Sequence, residues 1–380
     1  MTKMKNILFA TPFFGFTGSE IALYNIIRHW SDSEQTQLFL SSIEHGPLLD
    51  SPNINIQCFC YKDSFSENNT LSKRVLKKVT NRIKYDYEIY LNKIFKDSNP
   101  DVCVLNTLIM TQYIPYLKKK KIPSILYVHE MDWTFSHFSG NELKDMVELP
   151  DMVICCSEAS ANGFRKIGRK HHLQVVYPGV DFSSIYISKK REQMLASLGI
   201  SNDSKIIGMS GSLDKNKDPL MFVETANELL QKDGKYHFIW IGGNLNTGDY
   251  YYASCVAKSY GIEKKVKFVG YQKEDYYNYL NAIDVFFLTS VHDSFPLVMI
   301  EAGYLKKPVI GFNSGGINEF VKQKTGLIIS ERNSVSAAEA IDRYLKNINQ
   351  IFDEEICFNN ALAYSAENSA FNFKTHLESL

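Results

Sequence analysis

The chain has 380 residues, more than one ordinary core accommodates, so two domains are the expectation. Apolar content of 44% against 22% charged residues describes a globular protein and excludes a disordered or fibrous one. Lys+Arg and Asp+Glu balance at 42 each, so no global field draws the chain toward nucleic acid.

The N-terminus, Met1-Thr-Lys-Met-Lys-Asn-Ile-Leu-Phe-Ala, has a short apolar run that soon meets Pro12 and Gly15. That run is too short for a signal peptide or membrane span and fits a buried strand. No later stretch reaches transmembrane length. Seven cysteines, including Cys58-Phe-Cys60 and Cys155-Cys156, sit without a CxxC pair. They read as reduced core thiols of a cytoplasmic protein, with no structural metal site.

Apolar runs predict strands in the first half at Asn6–Ala10, Gln37–Ser41, Asn55–Cys60, Val102–Leu105, Ser124–Val128, Met152–Cys156 and Gln174–Tyr177. Those of the second half are Lys205–Met209, His237–Ile241, Val266–Val269, Val285–Leu288, Val309–Phe312 and Leu327–Ile329. Most are apolar on both faces, as parallel strands covered by helices on each side should be. Helical stretches such as Glu20–Trp30 and Pro219–Gln231 lie between them. The alternation predicts α/β architecture, doubly wound, run twice. The break falls within 181–203, where a Pro-Gly turn and the charged stretch Ser188-Lys-Lys-Arg-Glu192 precede a fresh strand. The tail Ala366–Leu380 is helical in pattern, with Phe371, His376, Leu377 and Leu380 apolar or neutral, and must dock on something already built.

One basic stretch stands apart. Between Lys73 and Lys84, cations interleave with Val75, Val79 and Ile83 and no acid intervenes. It is either an amphipathic helix for anionic lipid headgroups, a peripheral membrane contact, or an ordinary solvated face. Lys118–Lys121 reads as a surface turn.

Ligands of doubly wound folds bind at the carboxyl ends of the strands, so the residues there carry the candidates. After the first strand, Gly15 and Gly18 precede a helix, a place where backbone closely approaches a ligand or simply turns tightly. After Ser124–Val128 come His129 and Trp133, suited to a sugar hydroxyl or phosphate and to stacking on a sugar ring. The alternative for His129 is a satisfied core histidine. After Lys205–Met209 come Gly211, Ser212 and Lys217, with Asp218 as N-cap and Pro219 at the first helical position. Lys217 thus stands at a helix N-terminus, where an anion is favoured. Gly270-Tyr271 follow Val266–Val269, and Gly315-Gly316 follow Val309–Phe312, where glycines turn N–H groups toward a ligand. Between them, Asp293-Ser-Phe-Pro-Leu-Val-Met-Ile-Glu301 reads as a helix start, with Ser294 as candidate N-cap and Pro296 in the first turn. Two acids beside free helix N–H groups form a site for a phosphate that carries a hydroxyl-rich group, or a capped surface helix.

Taken in order, these residues resemble the retaining glycosyltransferases of the GT-B fold, family four. Asp293-x7-Glu301 sits where that family has Glu-x7-Glu. Val176-Tyr-Pro-Gly-Val-Asp181, Phe268-Val-Gly-Tyr271 and Gly315-Gly316 also fall in register. The resemblance implies two Rossmann-like domains facing across a cleft. Residues 1–185 would form the acceptor side, with helix 366–380 packing back on it, and 186–365 would bind the nucleotide sugar. Glu301 would hold ribose hydroxyls. Asp293 would face the donor sugar. Lys217 and the N–H groups of Leu297 and Val298 would hold the diphosphate, with Gly211 and Ser212 beside them. Gly270 and Tyr271 would border the base. His129 joins Lys217 and Asp293 as a catalytic candidate, with Gly15, Gly18 and Trp133 on the acceptor side.

The implied reaction is transfer of a sugar from a nucleotide-sugar donor such as a UDP- or GDP-sugar to a saccharide or lipid-linked acceptor. It proceeds with retention, without cofactor or metal, and in cell-surface polysaccharide synthesis. One departure is Ser212, where the family usually places a second cation. It supports an alternative, a non-catalytic partner subunit that binds nucleotide sugar. A nucleotide-sugar 2-epimerase would need further acids and histidines.

Overall fold

The computed structural model describes residues 5–30, 36–50, 56–61 and 82–380. The chain divides into two compact units, Met1–Gly179 with Ala366–Leu380, and Val180–Ser365. Val180, the first residue of the second unit, donates its N–H to the Tyr364 carbonyl at 3.0 Å and bridges to Ser365.

In the first unit the strands are β1 (Lys5–Thr11), β2 (Thr36–Ser42), β3 (Gln57–Cys60), β4 (Val102–Asn106), β5 (Ser124–Val128), β6 (Met152–Cys155) and β7 (Leu173–Val175). They form a parallel sheet in the order β3-β2-β1-β4-β5-β6-β7. In the second unit β8 (Lys205–Ser210), β9 (Tyr236–Ile241), β10 (Val266–Gly270), β11 (Val285–Leu288), β12 (Val309–Phe312) and β13 (Gly326–Ile329) are likewise parallel, ordered β10-β9-β8-β11-β12-β13. Each expected strand is present within a residue or two of its predicted ends. Every residue of β4, β5, β9, β11 and β12 is buried, which is why these runs show no polar alternation.

The strand order reverses once in each sheet, between β1 and β4 and between β8 and β11. Loops leaving adjacent strands there diverge to opposite faces and open a crevice at the carboxyl ends. Most candidate residues gather beside these two reversals, whereas Gly270 and Tyr271 stand at the end of the edge strand β10.

The helix Ala366–Glu378 belongs to the first unit. Its buried face is Ala366, Ser369, Ala370, Phe373 and Leu377. Phe373 packs edge-on against Trp30 and Tyr127. Phe371, expected among its docking residues, is 71% exposed, because it lies round the helix from Phe373. Lys118–Lys121, expected as a turn, ends the helix Ile114–Lys120, with Lys121 as its left-handed C-cap. The basic stretch from Lys73 lies outside the described residues until the helix backbone begins at Arg82. No described helix is long and apolar enough to cross a membrane.

Candidate functional site

Three loops are laced together at the reversal of the second sheet. After β8, Asp214 Oδ1 accepts from the N–H groups of Asn216 and Lys217, each at 2.9 Å, folding the segment into a turn. Asp218 follows in a left-handed conformation (φ 56°) and caps the helix Pro219–Lys232 through Met221 N–H. The loop after β11 is tied to this turn: Thr289 Oγ1 donates to Lys217 O at 2.6 Å and Val291 N–H to Asn216 O at 2.7 Å. After β12, Gly316 N–H donates to Asp293 O at 3.0 Å, and Asp293 N–H to Ser314 O at 2.8 Å.

This lacing brings Lys217 Nζ onto Asp293 Oδ2 as a direct, largely buried ion pair. At ~4 Å and an effective dielectric of ~20, such a pair attracts by about 4 kcal/mol before desolvation. The two residues, expected in separate roles, are joined in the structure. It also corrects the expectation for Gly316, whose N–H is spent on Asp293 O. A Cβ at Gly316 would stand 2.0 Å from Ser294 O, so close backbone packing requires this glycine. Gly315, at φ 131°, makes the bridge to Asp293.

The helix Leu297–Tyr304 begins differently from the expectation. Pro296 is its N-cap and no side chain caps it, so Ser294 is not the cap. Leu297 and Val298 N–H groups stand in the first turn, where an α-helix supplies no acceptor. Glu301, one turn on, is partly buried with its pKa raised by burial. Its Oε2 accepts from Tyr276 hydroxyl at 2.7 Å and its Oε1 from Tyr277 hydroxyl at 3.2 Å. Ser210, the last residue of β8, donates to Tyr276 hydroxyl at 3.2 Å.

Glycines crowd the neighbouring strand ends. Gly242, at φ 95°, donates to Gly270 O at 2.8 Å, and a Cβ on it would lie 3.1 Å from Gly211 O. Trp240 Nε1 donates to the same Gly211 O at 3.1 Å. Tyr271, just beyond β10, is 66% exposed. Ser212 donates to Asp214 Oδ2 at the surface.

Sequence reading missed three parts of this site. Tyr276-Tyr277 carried no motif. Gly242-Gly243 directly follow a strand, a signal that was present and unused. Arg332 pairs with Asp218, donates to the carbonyls of Thr289 and Ser290, and lies over the Phe312 ring. It secures the loops, and its distance in sequence hid it.

The first unit places its candidates at the β1/β4 reversal and the end of β5. His129 Nε2 meets Asn106 Oδ1 at 2.9 Å. The Asn106 amide is oriented by donating to Thr11 Oγ1 and Ser19 O, each at 3.4 Å. Its oxygen therefore accepts, which assigns the His129 proton to Nε2. Burial pushes the His129 pKa down to about 3, so the ring is neutral. Nε2 is thus already engaged, against the expectation that it donates to a substrate, and Nδ1 is left as an acceptor. Glu130 accepts from Leu108 N–H and His129 N–H, at 2.9 and 3.0 Å, and burial lifts its pKa to about 7. Glu20 is 4% exposed, with one carboxylate oxygen buried without a partner among the described residues.

A Cβ at Gly15 would meet the half-buried Phe13 ring, which would have to turn aside. Gly18, the first residue of the helix Gly18–Arg28, has open space around it. Trp133 lies on the short turn Asp132–His137, 46% exposed, with its ring edge-on to His137.

Two family models match in tandem. Glycosyltransferase Family 4 matches residues 53–184, and Glycosyl transferases group 1 matches 190–355. The chain resembles the family-four glycosyltransferases and has the GT-B fold. Among solved structures, HepE of Anabaena in complex with UDP and glucose is similar, with TM-score 0.80 and 19% identity over 99% of this chain and all of that one. Sucrose-phosphate synthase of Thermosynechococcus elongatus aligns with TM-score 0.78 and 15% identity over 99% and 98% of the two chains. In sequence, a D-inositol 3-phosphate glycosyltransferase of Corynebacterium urealyticum is 29% identical over 60% of this chain and 56% of that protein. A UDP-Gal:alpha-D-GlcNAc-diphosphoundecaprenol alpha-1,3-galactosyltransferase of Escherichia coli is 26% identical over 46% and 45%. The match thus spans about half the length of these curated relatives.

Proposed function

We propose that the chain is a retaining glycosyltransferase that takes a sugar from a nucleotide-sugar donor and passes it to a saccharide or lipid-linked acceptor. The observation that carries this reading is the Lys217–Asp293 pair beside the uncapped first turn of Leu297–Tyr304, at the reversal of the second sheet. A diphosphate there would meet the first-turn N–H groups of Leu297 and Val298 and draw on the Lys217 ammonium. As the glycosidic bond to phosphate breaks, charge grows on the leaving oxygen, where fixed donors stabilise it most. Asp293 would then face the sugar, Glu301 the ribose, and Gly270 and Tyr271 the base.

In this reading the first unit supplies His129 Nδ1 as an acceptor for a hydroxyl, with Gly18 and Trp133 beside the acceptor. The diphosphate charge is met by protein groups, so no metal or cofactor is required, and EDTA should leave activity unchanged. A lipid-linked acceptor suits the basic composition of Lys73–Lys84, and co-sedimentation with anionic vesicles tests that part. Similarity to one galactosyltransferase named for a diphosphoundecaprenol-linked substrate supports a place in cell-surface polysaccharide assembly.

The test begins with thermal unfolding in UDP, GDP and ADP. A nucleotide at ~100 times its dissociation constant adds about 2.7 kcal/mol of stability. Nucleotide release from the matching sugar donors then separates an enzyme from a silent binder. Failure of all three nucleotides to raise the melting temperature would sink the reading. In an active enzyme, Glu301→Ala should lower turnover at least tenfold while the fold survives.

A further inference from the structure

We infer that Tyr276 and Tyr277 are positioning residues that aim the Glu301 carboxylate at a ribose diol, and so set the protein's preference for ribonucleotides over deoxyribonucleotides. The inference rests on the ribose role proposed for Glu301 and adds the residues that make the role selective.

A carboxylate has about four lone-pair directions. Here each oxygen gives one of them to a different phenol: Oε2 to Tyr276 at 2.7 Å and Oε1 to Tyr277 at 3.2 Å. The rotation of the group is therefore fixed at two points, and one direction on each oxygen stays open. Two adjacent acceptors in a fixed plane match two adjacent hydroxyls, as a ribose 2′,3′-diol presents them.

The phenols are themselves held. The two rings meet at 4.9 Å and 69°, so neither turns without displacing the other. Ser210 Oγ donates to Tyr276 hydroxyl, which forces the Tyr276 proton onto Glu301. Ser210 is the last residue of β8, whose next residue, Gly211, opens the loop that carries Lys217. The carboxylate is thus set in register with the strand end that delivers the cation. Neighbours on a helix ordinarily face different sides. Tyr276 and Tyr277, the first two residues of the helix Tyr276–Ala282, nevertheless bring both hydroxyls to one acid at the reach of their long side chains. Burial raises the pKa of both phenols and of Glu301, and the phenols stay protonated donors through the neutral range.

The experiment measures dissociation constants of the full chain for whichever of UDP, GDP or ADP stabilises it, and for the 2′-deoxy form of the same nucleotide. Wild type should favour the ribonucleotide by about tenfold. Tyr276→Phe, which removes the shorter bond, should erase most of that preference, weakening the ribonucleotide several-fold more than the deoxynucleotide, which keeps only the 3′ hydroxyl. Tyr277→Phe should do the same to a smaller extent. Three results would overturn the inference, and they differ in what else falls. Equal wild-type binding of the two nucleotides removes the ribose role of Glu301 and this inference with it. A wild-type preference that survives in both variants leaves Glu301 in place and removes the tyrosines. Equal loss of both nucleotides in Tyr276→Phe shows a merely structural role.

Discussion

The two sheet reversals are built alike and charged differently. At β8/β11 a lysine and an aspartate form an ion pair beside an uncapped helix start. At β1/β4 the histidine is neutral, and neighbouring carboxyl groups are pushed toward their protonated forms by burial. One reversal holds opposite full charges in contact, and the other a neutral ring among carboxyl groups that burial disfavours ionising. Doubly wound topology places a site at each reversal, and the loop residues decide its chemistry.

Breaking the charged side should have the largest effect. Lys217→Ala removes the cation and strands the Asp293 carboxylate in a largely buried position. Turnover should fall at least tenfold, with weaker nucleotide binding by calorimetry. Asp293→Asn separates the two partners: it frees Lys217, so nucleotide affinity should hold or rise while turnover falls. Near wild-type rates in both variants would remove the pair from the mechanism.

On the neutral side, His129→Ala should harm transfer to acceptor more than nucleotide binding, read as separate losses in kcat and in nucleotide affinity. Equal losses would count against an acceptor-side role. Because the ring titrates near 3, it should contribute no inflection to the rate between pH 5 and 8.

The same contrast explains what the sequence revealed. The fold was legible because each strand of β8–β13 is a compact apolar run ended by glycine or polar residues. Asp218-Pro219 marked a helix start that formed as read. Asp293 and Glu301 were visible by their spacing. Their partners were not: Tyr276 and Tyr277 reach Glu301 from another helix, and no local period records such a contact. His129 was visible at a strand end, but its proton position depends on Asn106 and Thr11, which come from two other strands. Ser294 misled because a serine before an apolar run looks like a cap, whereas Pro296 stands at the N-cap here.

Titration sharpens the comparison further. Glu130 has its pKa raised from 4.5 to about 7, so its stabilising contribution is complete below about 4.5 and lost as pH rises through 7. His129, lowered from 6.5 to about 3, acts oppositely: its contribution is present above 6.5 and lost as pH falls through 3. Between pH 4.5 and 6.5 their opposite slopes with pH nearly cancel. Glu130→Gln removes one side of that balance. Its unfolding free energy, measured by urea titration, should then climb with pH relative to wild type by up to about 1.4 kcal/mol per pH unit. Parallel profiles would show that Glu130 titrates normally.

The smallest expected effects come from glycines, and they separate packing from function. Gly316→Ala forces a Cβ to 2.0 Å from Ser294 O and should destabilise the second unit by about 1–3 kcal/mol. Its rate loss should accompany that loss of stability, since the Asp293 loop itself must shift. Gly18→Ala meets nothing within 4 Å and begins a helix, so stability should change by less than about 0.5 kcal/mol. If Gly18 is open because an acceptor approaches its backbone, the methyl group should raise the acceptor KM without altering nucleotide affinity. A Gly18→Ala enzyme with unchanged acceptor KM would leave that space without a role and move the acceptor elsewhere on the first unit.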